Sequence, residues 1–247
     1  MLHRHLRVLG AFDMRHPFLT LGEVAARAGL PPSTAHRLLA ELVGEGLVER
    51  SEDRTYRLGV RLYELASRTP GALGLREIAR PFLHHLHARV RQHAQLGVLA
   101  GHDVLFVERL SARDAVANWT VVGGRIPLYA SSSGLVLLAH AAPELADAVI
   151  AAGFRPFTEH SIRSGAELRR VLRAVRQEGF AVTSGHLHPA SRGIAVPVYG
   201  PQRSVYAAIG VIVANDAASP LPYVDELQHA AQGIARALEA AYGPARM

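Results

Sequence analysis

Apolar residues recur along the first seventy positions at the three-to-four spacing of amphipathic helices. Leu2, Leu6, Leu9 and Phe12 predict a short helix that ends before His16-Pro17. Thr20 opens a second helix, with Glu23 three residues on to complete a capping box and Leu21, Val24, Ala25 and Ala28 as its buried stripe. Gly29 suits the left-handed residue that ends a helix, and Pro31-Pro32 pre-set the start of the next one. Two helices joined by so short a turn cross sharply.

The third helix, Pro32 to Gly44, has two chemically different faces. Ala35, Leu38, Leu39, Leu42 and Val43 form one apolar stripe; Ser33, Arg37 and Ala40 lie opposite, flanked by Thr34 and His36. In a DNA major groove Arg37 would donate to guanine or phosphate, Ser33 and Thr34 would bond phosphate or base edges, and Ala40 would permit close approach. The alternative is a solvated face on which Ser33 and Thr34 serve only as helix caps. After Gly46, the run 47–50 reads as a strand, 51–54 as a polar turn and 55–58 as the returning strand. Helix, turn, helix and hairpin in this order make a winged helix, predicted over residues 1–58. Its hairpin carries Arg50, Arg54 and Arg57 as candidate phosphate contacts, with Arg54 favoured because Glu52 and Asp53 at the tip repel phosphate.

Residues 59–69 keep a helical pattern that Pro70-Gly71-Ala72-Leu73-Gly74 breaks, so 59–74 is expected to link the first domain to a second over 75–247. The texture then becomes mixed. Helices are predicted at 75–93, 134–140, 143–152, 166–178 and 221–242. Strands are predicted at 95–100, 104–110, 116–122, 193–199 and 204–214, with a turn at 200–203. The expected class is α+β, a mostly antiparallel sheet flanked by helices.

Composition changes this picture little. The net charge of +6 comes from arginine alone, since the 247 residues include no lysine. Residues 1–69 hold ten arginines against eight carboxylates, so a DNA footprint must come from where the arginines sit. The absence of cysteine excludes disulfides and thiolate sites. The amino terminus lacks a secretory apolar segment, and no apolar run approaches the ~20 residues of a membrane span, so a cytoplasmic protein is expected.

The run LTLGEVAARAGLPPSTAHRLLAELVGEGLVERSEDRTYRLGVRLYELA resembles the DNA-binding half of the IclR (isocitrate lyase regulator) family, with its Ser-Thr-x-x-Arg-Leu-Leu recognition helix, Gly-Leu-Val-Glu-Arg strand and Tyr-x-Leu-Gly wing exit. GRIPLYASSSGLVLLA (124–139) and GFAVTSGHLHPASRGIAVPVYG (179–200) are similar to segments of the family's second domain. One departure is that family members usually carry several residues before the first helix, whereas Met1 stands almost on it. The resemblance implies a transcription regulator with a GAF-like effector domain, acting as a homodimer or dimer of dimers on a pseudo-palindromic DNA operator. It places the effector pocket at Ser131, Ser132, Ser133 and Gly134, with Thr183, Gly193, Gly210 and Ile212. Thr183 stands where members that bind small keto acids have aspartate, Gly193 where cysteine is common, and Gly210 and Ile212 where serines supply hydroxyls. These changes remove carboxylate anchors and point to a larger, more apolar ligand, with the three serine hydroxyls as its main polar contacts. The alternative is that the serines only cap the helix that follows.

No cofactor and no metal are expected. His84, His85 and His87 are too closely spaced on one helix to converge, and His186 and His188 belong to no ligand motif. An enzyme is the rival class, since Ser131–Ser133 with His140 superficially pairs a nucleophile with a base. No Gly-x-Ser-x-Gly elbow or orienting carboxylate accompanies them.

Overall fold

The computed structural model describes residues 2–13, 16–67, 72–201 and 204–242, and its chain divides into two units, Met1–Pro70 and Gly71–Met247. The first contains α1 (Leu2–Leu9), α2 (Leu21–Ala28), α3 (Pro32–Gly44), β1 (Val48–Arg50), β2 (Tyr56–Leu58) and α4 (Val60–Ser67). Thr20 and Glu23 form the expected capping box, and Gly29 closes α2 at φ 59°. In that left-handed conformation the N–H of Leu30 reaches back to the carbonyl of Ala25 at 2.9 Å. The stripe expected of the first helix needs correction. Leu2 and Leu6 are 71% and 55% exposed, while Val8, Ala11 and Phe12 are buried. Only the carboxy-terminal end of α1 reaches the core of Val24, Leu38, Leu39, Leu42, Val48 and Tyr56.

β1 and β2 pair antiparallel with Val48 opposite Leu58 and Arg50 opposite Tyr56. Leu19 and Tyr56 exchange backbone hydrogen bonds of 3.0 and 2.7 Å, tying the hairpin to the chain entering α2. The hairpin tip is fixed by Asp53, whose carboxylate accepts from the Thr55 backbone at 3.0 Å and hydroxyl at 2.7 Å.

The second unit runs α5 (Ala72–Val90), β3 (His93–Ala100), β4 (Asp103–Leu110), β5 (Arg125–Pro127), a 3-10 turn Leu128–Ala130, α6 (Ser132–His140), α7 (Pro143–Ala152), α8 (Gly165–Glu178), β6 (Ala181–Ser184), β7 (Ser191–Tyr199), β8 (Val205–Ala214) and α9 (Leu221–Tyr242). The strands form one six-stranded sheet, ordered β5-β4-β3-β8-β7-β6, with every pair antiparallel. Strand alternation sorts the side chains. Ile194, Val196, Ile209 and Val211 pack with Leu75, Leu83, Leu227 and Ile234 of α5 and α9. The opposite face carries small residues at Gly97, Gly193, Ala195, Ala208 and Gly210, in register across three strands. That trough lets α6 lie close on the sheet, and Leu135, Leu138 and Leu168 complete the second core there.

Several boundaries differ from expectation. α5 begins at Ala72, so the expected break at 70–74 does not include Ala72 to Gly74, and 68–71 lie outside the described residues. Gly74 serves packing instead: a Cβ there would stand 2.0 Å from the Tyr242 hydroxyl oxygen. The helix ends at Val90 rather than at His93, because Arg91 turns left-handed at φ 52° and His93 starts β3. The short strands β5 and β6 went unpredicted. Gln202 and Arg203 of the expected turn lie outside the described residues.

The strand expected at 116–122 does not form. This stretch is a strap whose backbone is satisfied by side chains rather than by a ladder. The Val116 N–H donates to Gln92 at 3.1 Å, His93 Nε2 meets the Val116 carbonyl at 2.6 Å, Ser191 donates to the carbonyl of Ala117 and Arg109 to that of Thr120. Among the described residues no helix is long and apolar enough to cross a membrane.

Candidate functional site

The two faces of α3 separate as their chemistry requires. Ala35, Leu38, Leu39 and Leu42 are buried and Val43 is half-buried, while Ser33, His36, Arg37 and Ala40 are exposed and Thr34 is half-buried. Pro31 occupies the N-cap position with no side-chain cap, so Ser33 and Thr34 are not spent on capping. Arg37 pairs with Glu41 one turn on. The same carboxylate meets His5 Nε2 of α1 at 2.7 Å. The His5 hydrogen bond first, and the Arg37 charge after it, hold the Glu41 carboxyl below its ordinary value.

The three wing arginines have different partners. Arg57 donates to Glu49 across the hairpin at 2.8 Å, which with the Val60 N–H holds that carboxyl below its usual range. Arg50 stacks over the Tyr56 ring, 5.7 Å from its centroid. Arg54, exposed at the tip with φ 64°, has no ion pair among the described residues. The i,i+4 spacing of Arg37 and Glu41 marks a helical ion pair, whereas the Arg57–Glu49 pair depends on the hairpin register that sets the two residues opposite each other.

In the second unit a cavity of about 30 Å³ opens beside the start of α6. Gln95, Ser131, Ser132, Thr183, Gly193 and Ile212 line its inner side; the strap residues Ala117 to Thr120 and the loop His186 to His188 close it. The three serines do three different things. Ser131 is the N-cap of α6 and accepts the Gly134 N–H at 3.1 Å. Ser132 and Ser133 are buried and their hydroxyls have no protein partner, and only Ser132 of these two lines the cavity.

Ser133, Gly134 and Gly210 stand behind the lining. A Cβ at Gly134 would fall 2.2 Å from the Leu128 carbonyl oxygen, so this glycine sets the approach of α6 to the preceding turn. A Cβ at Gly210 would fall 3.3 Å from Ser133 Oγ and 2.8 Å from the Ile194 carbonyl oxygen. At Gly193 it would fall 2.7 Å from Thr183 Oγ1 and 2.8 Å from Ser132 Oγ. The missing side chain at Gly193 is therefore part of the cavity.

Among the described residues no Arg, Asp or Glu lines this cavity. Its polar groups are hydroxyls, amides and imidazoles. His186 Nδ1 is buried without a partner, and burial pushes that imidazole below its ordinary value, with Glu167 opposing and His160 adding to the effect. Gln95, absent from the candidates drawn from the sequence, is fully buried on β3. Trp119 forms the rim: the residue is 57% exposed and its ring meets Phe157 edge-on at 6.4 Å. The serine-histidine pairing that an enzyme would need is not assembled, since His140 Nδ1 lies 2.9 Å from the Val136 carbonyl oxygen and its ring meets Tyr199.

The sequence matches two family models, the IclR helix-turn-helix domain over residues 2–52 and the bacterial transcriptional regulator IclR C-terminal domain over residues 69–239. It is 28% identical over 242 residues to the HTH-type transcriptional regulator XynR of Escherichia coli, covering 96% of each chain. It is 29% identical to the Pca regulon regulatory protein of Pseudomonas putida, over 85% of this chain and 72% of that one. Among solved structures, an IclR homolog from Microbacterium hydrocarbonoxydans complexed with 4-hydroxybenzoate is similar with a TM-score of 0.90 and 40% identity, over 97% of this chain and 99% of that one.

Proposed function

Because the chain belongs to the IclR family of bacterial transcriptional regulators, we propose that α3 reads the major groove of its operator and that the cavity beside Ser132 takes a small, rather apolar metabolite. Support for the DNA reading comes from one observation: the inner stripe of α3 is buried while Ser33, His36, Arg37 and Ala40 stay exposed. Arg37 and Ser33, with Thr34 and His36, are the base and phosphate contacts in this reading. Arg54 reaches a neighbouring phosphate, and Arg50 and Arg57 contribute from the flanks of the wing. A dimer, or a dimer of dimers, would present two copies of α3 to successive grooves of a pseudo-palindromic site.

The ligand reading rests on the uncharged lining and on the space left at Gly193. A 4-hydroxybenzoate complex in a relative of 40% identity supports an aromatic ligand. A benzene-sized guest needs a cavity of about 150 Å³, so the strap from Ala117 to Thr120, with Trp119 on it, moves outward to admit a ring. Ligand binding then changes DNA affinity only as far as it favours one disposition of the DNA-binding units over another, through residues 59–74. Titration calorimetry of the whole chain against aromatic acids, aromatic alcohols and two- or three-carbon keto acids tests this. Aromatic ligands are expected to bind, and tight binding of glyoxylate or pyruvate instead contradicts the reading.

A further inference from the structure

Gln95 lines the cavity from β3. It is fully buried; its register partner on β8 is Gly210, which has no side chain to cover it, and its partner on β4 is Arg109, whose guanidinium donates to the Thr120 carbonyl of the strap. A buried primary amide has an acceptor and two donor hydrogens to satisfy, and here only the acceptor side is used. Thr120 Oγ1 lies 2.9 Å from Gln95 Oε1, and Asn118 Nδ2 lies 3.3 Å from it. Gln95 Nε2 has no partner.

The orientation of this amide follows from its contact with Asn118, since the Thr120 hydroxyl lies 2.9 Å from both Gln95 Oε1 and Asn118 Oδ1 and has one hydrogen to give. The backbone N–H of Thr120 can only donate, and it reaches Asn118 Oδ1 at 3.0 Å. That fixes Asn118 with its Nδ2 turned to Gln95, so the Gln95 atom facing it must be the oxygen. Nε2 is thereby aimed away from the strap as a fixed donor. Ser132, which lines the same cavity, also has a buried and unpartnered hydroxyl, on the first residue of α6, where the helix terminus favours negative charge.

Resting on the ligand reading above, we infer that Gln95 is a specificity-determining residue that donates to the carboxylate of the ligand, so that the cavity selects an aromatic monocarboxylate over the corresponding neutral alcohol. The cavity holds an anion by neutral donors alone, Gln95 Nε2 and the Ser132 hydroxyl. This replaces the anchors whose loss the sequence implied at Thr183, Gly193, Gly210 and Ile212. Asn118 and Thr120 act as positioning residues, because they hold the amide and do not themselves supply the donor. They also belong to the strap, so the strap that closes the cavity is the element that aims Gln95.

The test uses the full chain and two probes, 4-hydroxybenzoate and 4-hydroxybenzyl alcohol, compared by titration calorimetry. The wild type is expected to bind the acid about ten-fold or more tighter than the alcohol. Gln95→Glu keeps the shape, removes the donors and adds a like charge, and it should abolish or invert that preference. Asn118→Leu leaves Gln95 chemically intact but removes the Nδ2 donor that sets its orientation, and it should narrow the preference by several-fold. Should Gln95→Glu fail to fold, Asn118→Leu decides. Equal wild-type affinities for the two probes, or an acid preference unchanged in the variants, would overturn the role of Gln95 and leave the apolar cavity standing. If glyoxylate binds and neither aromatic probe does, the ligand reading fails, and this inference with it.

Discussion

His93 Nε2 stands 2.6 Å from the carbonyl oxygen of Val116, so a side chain of the sheet holds the strap that closes the cavity beside Ser132. Its other nitrogen lies 2.9 Å from Ser111 Oγ, which in turn accepts from Arg109 Nε at 2.9 Å. This arrangement suits a neutral ring: Nε2–H donates to the carbonyl, and the Ser111 hydroxyl donates to Nδ1.

Burial holds the His93 imidazole below its ordinary value, the Val116 contact opposing and the Arg109 charge adding to the effect. His186 is displaced the same way by burial. The unfolded chain therefore takes up these protons first. Stability is fully present above the ordinary histidine value of about 6.5 and is lost as pH falls from there toward the lower folded-state values. The melting temperature is expected to fall between about pH 7.5 and about pH 5.5, and His93→Gln should flatten that slope. A melting temperature that rises on acidification contradicts the buried neutral imidazoles.

Two glycines should respond differently to the same added methyl. At Gly134 a Cβ meets backbone, the Leu128 carbonyl oxygen at 2.2 Å, which cannot move without shifting the turn before α6. Gly134→Ala is expected to cost about 1–3 kcal/mol of stability, read by denaturant unfolding. At Gly193 the neighbours are side-chain atoms of Thr183, Ser132 and Ile212 around the cavity, so Gly193→Ala should reduce ligand affinity by about ten-fold. Calorimetry on the two variants separates the outcomes; equal losses of stability with unchanged ligand affinity would remove Gly193 from the cavity.

The parts of the fold that the sequence made legible are those governed by one repeating contact. Leu38, Leu39 and Leu42 recur on one face of α3 and are buried, and Thr20, Glu23 and Gly29 mark the ends of α2 by local bonds. What stayed hidden depends on distant side chains. The stretch 116–122 carries the apolar, β-branched texture of a strand, yet its backbone is bonded by Gln92, His93, Arg109 and Ser191, and no local pattern announces that. In the cavity, Ser132 and Gly193 were visible as candidates. Gln95 was not, because a glutamine in a strand ordinarily reads as a solvent-facing position; its burial depends on Asn118 and Thr120 crossing above it.

Glu41 places a carboxylate on α3 beside Arg37, and it also engages His5. Removing it by Glu41→Gln frees the guanidinium and deletes a charge that phosphate repels. Affinity for random-sequence DNA is expected to rise several-fold at low salt and the effect to shrink as salt increases. Fluorescence anisotropy across a salt series measures this, and unchanged non-specific affinity would place Glu41 away from the bound duplex.

Fluorescence anisotropy with a duplex from the gene's own upstream region, against a random duplex of equal length, tests the DNA reading most directly when wild type, Arg37→Ala and Arg54→Ala are compared over a range of salt. The account predicts that Arg37→Ala loses about 1–3 kcal/mol of discrimination between the two duplexes. Arg54→Ala should weaken both alike and lower the salt slope by about one. Full discrimination retained by Arg37→Ala would contradict the assignment of the outer face of α3 as the surface that reads DNA.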